Sequence, residues 1–144
     1  MNARRLLPIQ HLAQQREDDQ ARQFAEQQKV LETQEQRLQE LRRYAAEYSA
    51  VPQNTTLTPA LLSNRRSFVE KLDSAVVQQT RQVEKARGSC DVERTRLMLA
   101  SRDVNVLDKL AASYQAQEKK VAERRSQREL DDHASRAFTR RKGE

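Results

Sequence analysis

The chain has 144 residues, 36% of them hydrophobic and 33% charged, with three Pro, two Gly and no Trp. That composition is too polar for a wide globular core and suits long helices. The net charge is +6, and the single cysteine, Cys90, rules out an internal disulfide or a cysteine zinc site and fits a reducing cytosol.

The N-terminal stretch Met1-Asn-Ala-Arg-Arg-Leu-Leu-Pro8 lacks the apolar core of a signal peptide. No apolar run approaches the ~18–20 residues of a membrane span. A first helix is expected over about residues 6–50, with Pro8 in its first turn, where the missing N–H costs nothing. Two rows run along it. One is Phe24, Leu31, Leu38 and Ala45; the other is Ala13, Gln20, Gln27, Gln34, Leu41 and Tyr48. Three glutamines make this a weakly apolar stripe. Leu6, Ile9 and Leu12 add an apolar anchor at its start.

Residues 51–58 read as the break. Pro52 disfavours helix at Val51, and Thr58 before Pro59 makes an N-cap followed by a first helical position. A short link between two amphipathic helices predicts an antiparallel hairpin.

The second helix, about 59–131, carries the strongest signal in the chain. Leu62, Val69, Val76, Val83, Cys90, Leu97, Val104 and Ala111 recur at strict seven-residue intervals. Beside them run Leu72, Ala86, Ala100, Leu107, Tyr114 and Val121, with Arg65, Gln79 and Glu93 in the same phase. A 3.5-residue hydrophobic period winds helices around one another left-handedly. A polar chain without such register would be a candidate for disorder. Gly88, mid-helix, is either a tolerated glycine or the mark of a bend or close contact. Residues 132–144 read as a basic flexible tail.

Folding the sequence about residues 54–55 pairs positions whose numbers total about 109. Leu41 then meets Phe68, Leu38 meets Leu72, Phe24 meets Ala86, and Leu6 meets Val104. The first helix runs out near residue 105, which leaves Leu107, Leu110, Tyr114 and Val121 as an apolar overhang. The expected fold is all-α: one long antiparallel two-helix coiled-coil hairpin, an elongated rod.

No catalytic constellation appears. His11 and His133 have no cysteine near them, and there is no glycine-rich phosphate loop or nucleophile motif. No enzyme activity, metal or cofactor is expected. Tyr44, Tyr48 and Phe68 cluster beside the loop; they either pack the coil or form a partner site, since both tyrosines cannot point fully into a two-helix seam. The segment from Lys119 to Asp132, with Arg124, Arg125 and Arg128, is a solvated face, a docking surface, or an attachment to nucleic acid or another anionic surface.

Along nearly its whole length the chain resembles the FliJ family of flagellar export proteins. The segments that carry the resemblance are Leu6-Leu-Pro-Ile-Gln-His-Leu-Ala13, the Tyr44/Tyr48 pair, Leu61-Leu-Ser-Asn-Arg-Arg-Ser-Phe68, and Glu123-Arg-Arg-Ser-Gln-Arg-Glu-Leu-Asp131. Injectisome stalk proteins share the shape. The resemblance implies a non-enzymatic stalk of the type III export apparatus, like the central stalk of rotary ATPases, at the cytoplasmic face of the inner membrane. It implies three partners: the hexameric export ATPase, the cytoplasmic domain of the export gate, and export chaperones. Gate-contact positions match at Leu41, Tyr44, Tyr48, Phe68, Leu72 and Ala75. Two more fall on Arg37 and Gln79, which depart from the residues expected there. The terminal end is the ATPase-held end, which assigns Leu107, Tyr114, Val121, Arg124, Arg125 and Arg128 to that contact. The rival readings are a basic coiled coil binding nucleic acid or an anionic surface, and a structural homodimer.

Overall fold

The computed structural model describes residues 3–50 and 58–143. It is an all-α helical hairpin of two helices, α1 (Ala3–Ala50) and α2 (Pro59–Lys142). The expected link over 51–58 falls outside the described residues, except for Thr58. Thr58 caps α2 as its sequence suggests: its Oγ1 accepts from Leu61 N at 3.4 Å and its carbonyl from Leu62 N at 3.0 Å. Helix α1 begins three residues earlier than expected, so Pro8 lies in its second turn. Helix α2 continues to Lys142, eleven residues past the expected end near Asp131. Its last turn carries Arg140, Arg141 and Lys142, whose charge favours the negative end of the helix dipole.

The heptad rows are the buried faces. On α2, every row member from Arg65 to Tyr114 is buried or half-buried, while Leu62 and Val121 at the two ends are exposed. On α1, both rows are likewise withdrawn from solvent, the three seam glutamines included. Among the described residues the buried apolar set is small: Ala3, Leu6, Ala13, Leu38, Val83, Ala86, Cys90, Val104 and Ala111. Many of these are alanines, so the helices approach closely and each layer contributes modestly. Gly88 is exposed, and a Cβ built on it would meet nothing within 4 Å, so it marks no close helix contact.

The described residues divide into two compact units, residues 18–98 and residues 3–17 with 99–143. In the first, the helix register is fixed by polar contacts across the seam. Gln79 Nε2 donates to Gln34 Oε1 at 2.7 Å and to the Gln34 carbonyl at 2.9 Å. Arg65 Nη2 donates to the Tyr48 carbonyl at 3.4 Å. In both pairs the residue numbers total 113, not 109, so the expected register is displaced by one helical turn. The reason is chemical. A total of 109 would set Gln34 against Ala75 and Gln79 against Val30, burying amides with no partner; 113 sets amide against amide. A polar residue in a coiled-coil seam selects register in this way.

In the second unit the displacement runs in the same direction and is larger, with pair totals of 118 and 121. Gln10 Nε2 donates to Asp108 Oδ1 at 3.1 Å, and Ala3 N donates to Glu118 Oε1 at 2.9 Å. Helix α1 has no acidic residue in its own first turn, and Glu118 supplies an acceptor there. The pairing of α1 with α2 therefore extends to Glu118, well past residue 105. Leu107 is half-buried and lines a groove with Ile9, Leu12 and Ala13. It belongs to the paired region, which corrects the expected overhang. Of the three apolar residues expected to anchor the start of α1, only Leu6 is buried; Ile9 and Leu12 are about half exposed.

Candidate functional site

Two surfaces hold the residues singled out by the sequence, one in each unit. The first is the aromatic patch near the ends of the helices that flank the link. Arg37, Leu41, Tyr44 and Tyr48 share one face of α1, spaced by four, three and four residues; Phe68, Leu72, Ala75 and Gln79 repeat that spacing on α2. The Tyr48 and Phe68 rings lie 4.6 Å apart, tilted at 57°, a geometry aromatic pairs favour. The Arg65 guanidinium sits 5.7 Å over the Tyr48 ring while donating to its carbonyl. Tyr48 is thereby held partly in the seam.

Tyr44, one turn earlier, is 61% exposed, and Phe68 is 46% exposed. The two tyrosines do diverge, as two side chains on a narrow seam must. Leu41, Leu72 and Ala75 are half-buried and form the floor of the patch. Gln79 is occupied by Gln34 and acts in register selection. Arg37 is exposed on the rim. Leu61 and Leu62, each about half exposed, extend apolar surface along α2, where Leu62 lines a cavity with Pro59, Arg65 and Val69. Across the seam, the Tyr48 ring lies against Phe68 and under Arg65.

The second surface is the end of α2. Every residue from Gln115 to Gly143 is exposed. From Lys119 to Lys142 there are nine Lys and Arg against four Asp and Glu, so this stretch carries +5 of the chain's net +6. At 1.5 Å per residue its 24 residues span roughly 36 Å. Arg124, Arg125 and Arg128 all lie on it. Val121 is 57% exposed, and Tyr114, half-buried, shares a shallow 350 Å³ cavity with it and Arg125. Leu130 and Phe138, 63% and 62% exposed, form a further apolar pair that sequence reading missed because they fall outside the seven-residue rows. Lys142 Nζ lies 5.2 Å over the Phe138 ring.

Among the described residues, no group of three or more His, Cys, Asp or Glu could hold a metal ion, and no helix is long and apolar enough to cross a membrane. The arrangement offers faces for docking.

No curated protein and no solved structure shows a significant match to the chain. A family profile does: the one described as flagellar FliJ protein matches residues 1–143. That match spans both surfaces and every segment that carried the resemblance. The chain belongs to the FliJ family, whose members are non-catalytic components of the flagellar export apparatus.

Proposed function

We propose that the chain links the hexameric export ATPase to the cytoplasmic domain of the export gate, and that it handles export chaperones on the way. The aromatic patch of Tyr44, Tyr48 and Phe68, floored by Leu41, Leu72 and Ala75, meets the gate. The basic segment meets the ATPase through Val121, Arg124, Arg125 and Arg128, with Tyr114 at its base. Leu107 supports this contact through packing against α1. Such a link operates in the cytoplasm, at the cytoplasmic face of the inner membrane.

The observation that carries this reading is the unpaired end of α2: a helix exposed along its whole length beyond Glu118 that concentrates the chain's positive charge. An acidic or polar lumen in an ATPase ring would attract it. Reversing Arg124, Arg125 and Arg128 to Glu tests the contact. Single exposed charge pairs contribute only ~0–1 kcal/mol, so single changes should be mild and the triple change should weaken ATPase binding clearly. The nucleic-acid reading predicts instead that the triple variant loses binding to duplex DNA, with the steep salt dependence of phosphate contacts. Tight DNA binding without ATPase binding would overturn the proposal.

A further inference from the structure

A third surface lies within the unit formed by residues 3–17 and 99–143, on the flank of the paired helices. There a groove of about 290 Å³ runs between α1 and α2, lined by Ile9, Leu12, Val106 and Leu107, with Arg16 and Asp103 beside them. Ile9, Leu12 and Val106 are 48%, 47% and 56% exposed, and Leu99 and Leu110 extend the apolar strip at 55% and 38%. On α2 the strip follows Leu99, Asp103, Val106 and Leu110, at spacings of four, three and four residues. That is a single helical row, about 16 Å long.

Leu107 apart, the seam between the helices does not need these side chains. Leu107, a seam residue, forms the floor; Ile9, Leu12, Leu99, Val106 and Leu110 lie outside the rows that pack α1 against α2, and exposed apolar side chains grouped in this way on a highly charged chain are a docking feature. A groove between two helices that run alongside each other accepts the ridge of a third helix. The charge at the edges selects what kind. On α1 the row Arg5, Ile9, Leu12, Arg16 is basic at both ends; on α2, Arg102 and Lys109 border Val106 on its outer side, and all four cations are exposed. Asp103 is the one acidic side chain lining the groove.

We infer that this groove docks an amphipathic helix of a partner protein whose apolar stripe is flanked by acidic residues, completing a local three-helix bundle. The site is separate from both the aromatic patch and the basic end of α2, and it stands whether or not those contact the gate and the ATPase.

The test uses two labelled peptides of about 18 residues, each with a leucine stripe at helical spacing. One carries glutamates beside the stripe, the other lysines. Each is titrated into the full chain and followed by fluorescence anisotropy. The glutamate peptide should bind more tightly by about tenfold or more, a difference of ~1.4 kcal/mol. Ile9→Glu with Val106→Glu should abolish that binding at unchanged helix content, because both positions are exposed. Arg102→Glu with Lys109→Glu should reverse the preference between the peptides. The Arg124, Arg125 and Arg128 to Glu variant should bind the glutamate peptide as the parent does. Equal affinity for both peptides, or no binding of either, overturns the inference. So does loss of binding in the α2-end variant alone. Light scattering that shows a dimer, dissociated by Ile9→Glu, would make a second copy the occupant and overturn it as well.

Discussion

Glu93→Gln should stabilise this protein. Glu93 lies in the seam row of α2 with its side chain 14% exposed. Its Oε1 accepts from Arg96 at 2.9 Å, while Oε2 is buried without a partner. Gln20 Oε1, on the seam row of α1, is buried and unpartnered too. Their numbers total 113, the total of the Gln34–Gln79 and Tyr48–Arg65 pairs, so the two residues occupy one layer. A carboxylate only accepts, so Glu93 has no donor to offer the Gln20 oxygen, whereas Gln79 donates to Gln34. An amide at position 93 keeps an oxygen for Arg96 and turns an Nε2 toward Gln20. Each buried unsatisfied group costs ~1–3 kcal/mol, and partial exposure of this layer argues for the lower part of that range. The pair with Arg96, which is largely exposed, contributes no more than ~1 kcal/mol, and part of it survives as a neutral hydrogen bond. The expected net gain is ~1–2 kcal/mol, or roughly 3–8 °C in melting temperature for a chain of this length. Thermal unfolding followed by circular dichroism reads it. The mirror change, Gln79→Glu, removes the donor to both Gln34 oxygens and should lower stability by ~2–3 kcal/mol. An unchanged or lowered melting temperature for Glu93→Gln, or a harmless Gln79→Glu, would refute the polar-layer reasoning.

Three further outcomes follow from named positions. Gly88→Ala should raise stability by ~1 kcal/mol, since the new Cβ meets nothing and alanine is the better helix former; a loss on chemical denaturation would show that glycine is needed there. Thr58→Ala should cost ~1 kcal/mol through loss of the α2 cap, and Thr58→Asp should restore most of it in the same assay. Leu107→Asp should lower stability by ~2 kcal/mol while Val121→Asp leaves the melting temperature unchanged, because Leu107 lies where α1 still pairs with α2 and Val121 is exposed beyond that pairing. Equal effects of the two would misplace the end of the paired region.

The seven-residue rows made the helices and their buried faces legible before any coordinates. Row members from Arg65 to Tyr114 are the residues withdrawn from water. Register was harder to read, because apolar matching alone tolerates a shift of one turn: Leu, Val and Ala face one another acceptably either way. The information lay in the polar members of the same rows, where Gln34 opposite Gln79 admits a single solution. The one-turn error, the larger offset in the second unit and the earlier start of α1 together placed the expected end of pairing near residue 105 instead of about Glu118. They also made Leu107 look like free surface. Leu130, Phe138 and the groove at Ile9 and Val106 were not legible as sites, since each falls outside the rows and becomes visible only through exposure and the placement of the neighbouring helix. The link at 51–57 lies outside the described residues.

The central claim is that the aromatic patch and the basic end of α2 serve different partners. Tyr44→Ala is the cleanest probe of the patch, because this side chain is mostly exposed and contributes little to the seam. Arg124, Arg125 and Arg128 to Glu is the matching probe of the other end. The decisive measurement is the affinity of these two variants, side by side, for the purified export ATPase and for the cytoplasmic domain of the export gate. Tyr44→Ala should weaken gate binding by about tenfold or more, as removal of a central interface aromatic does, and leave ATPase binding intact. The triple arginine variant should do the reverse. Loss of both interactions in either variant, or of neither in both, would contradict the central claim.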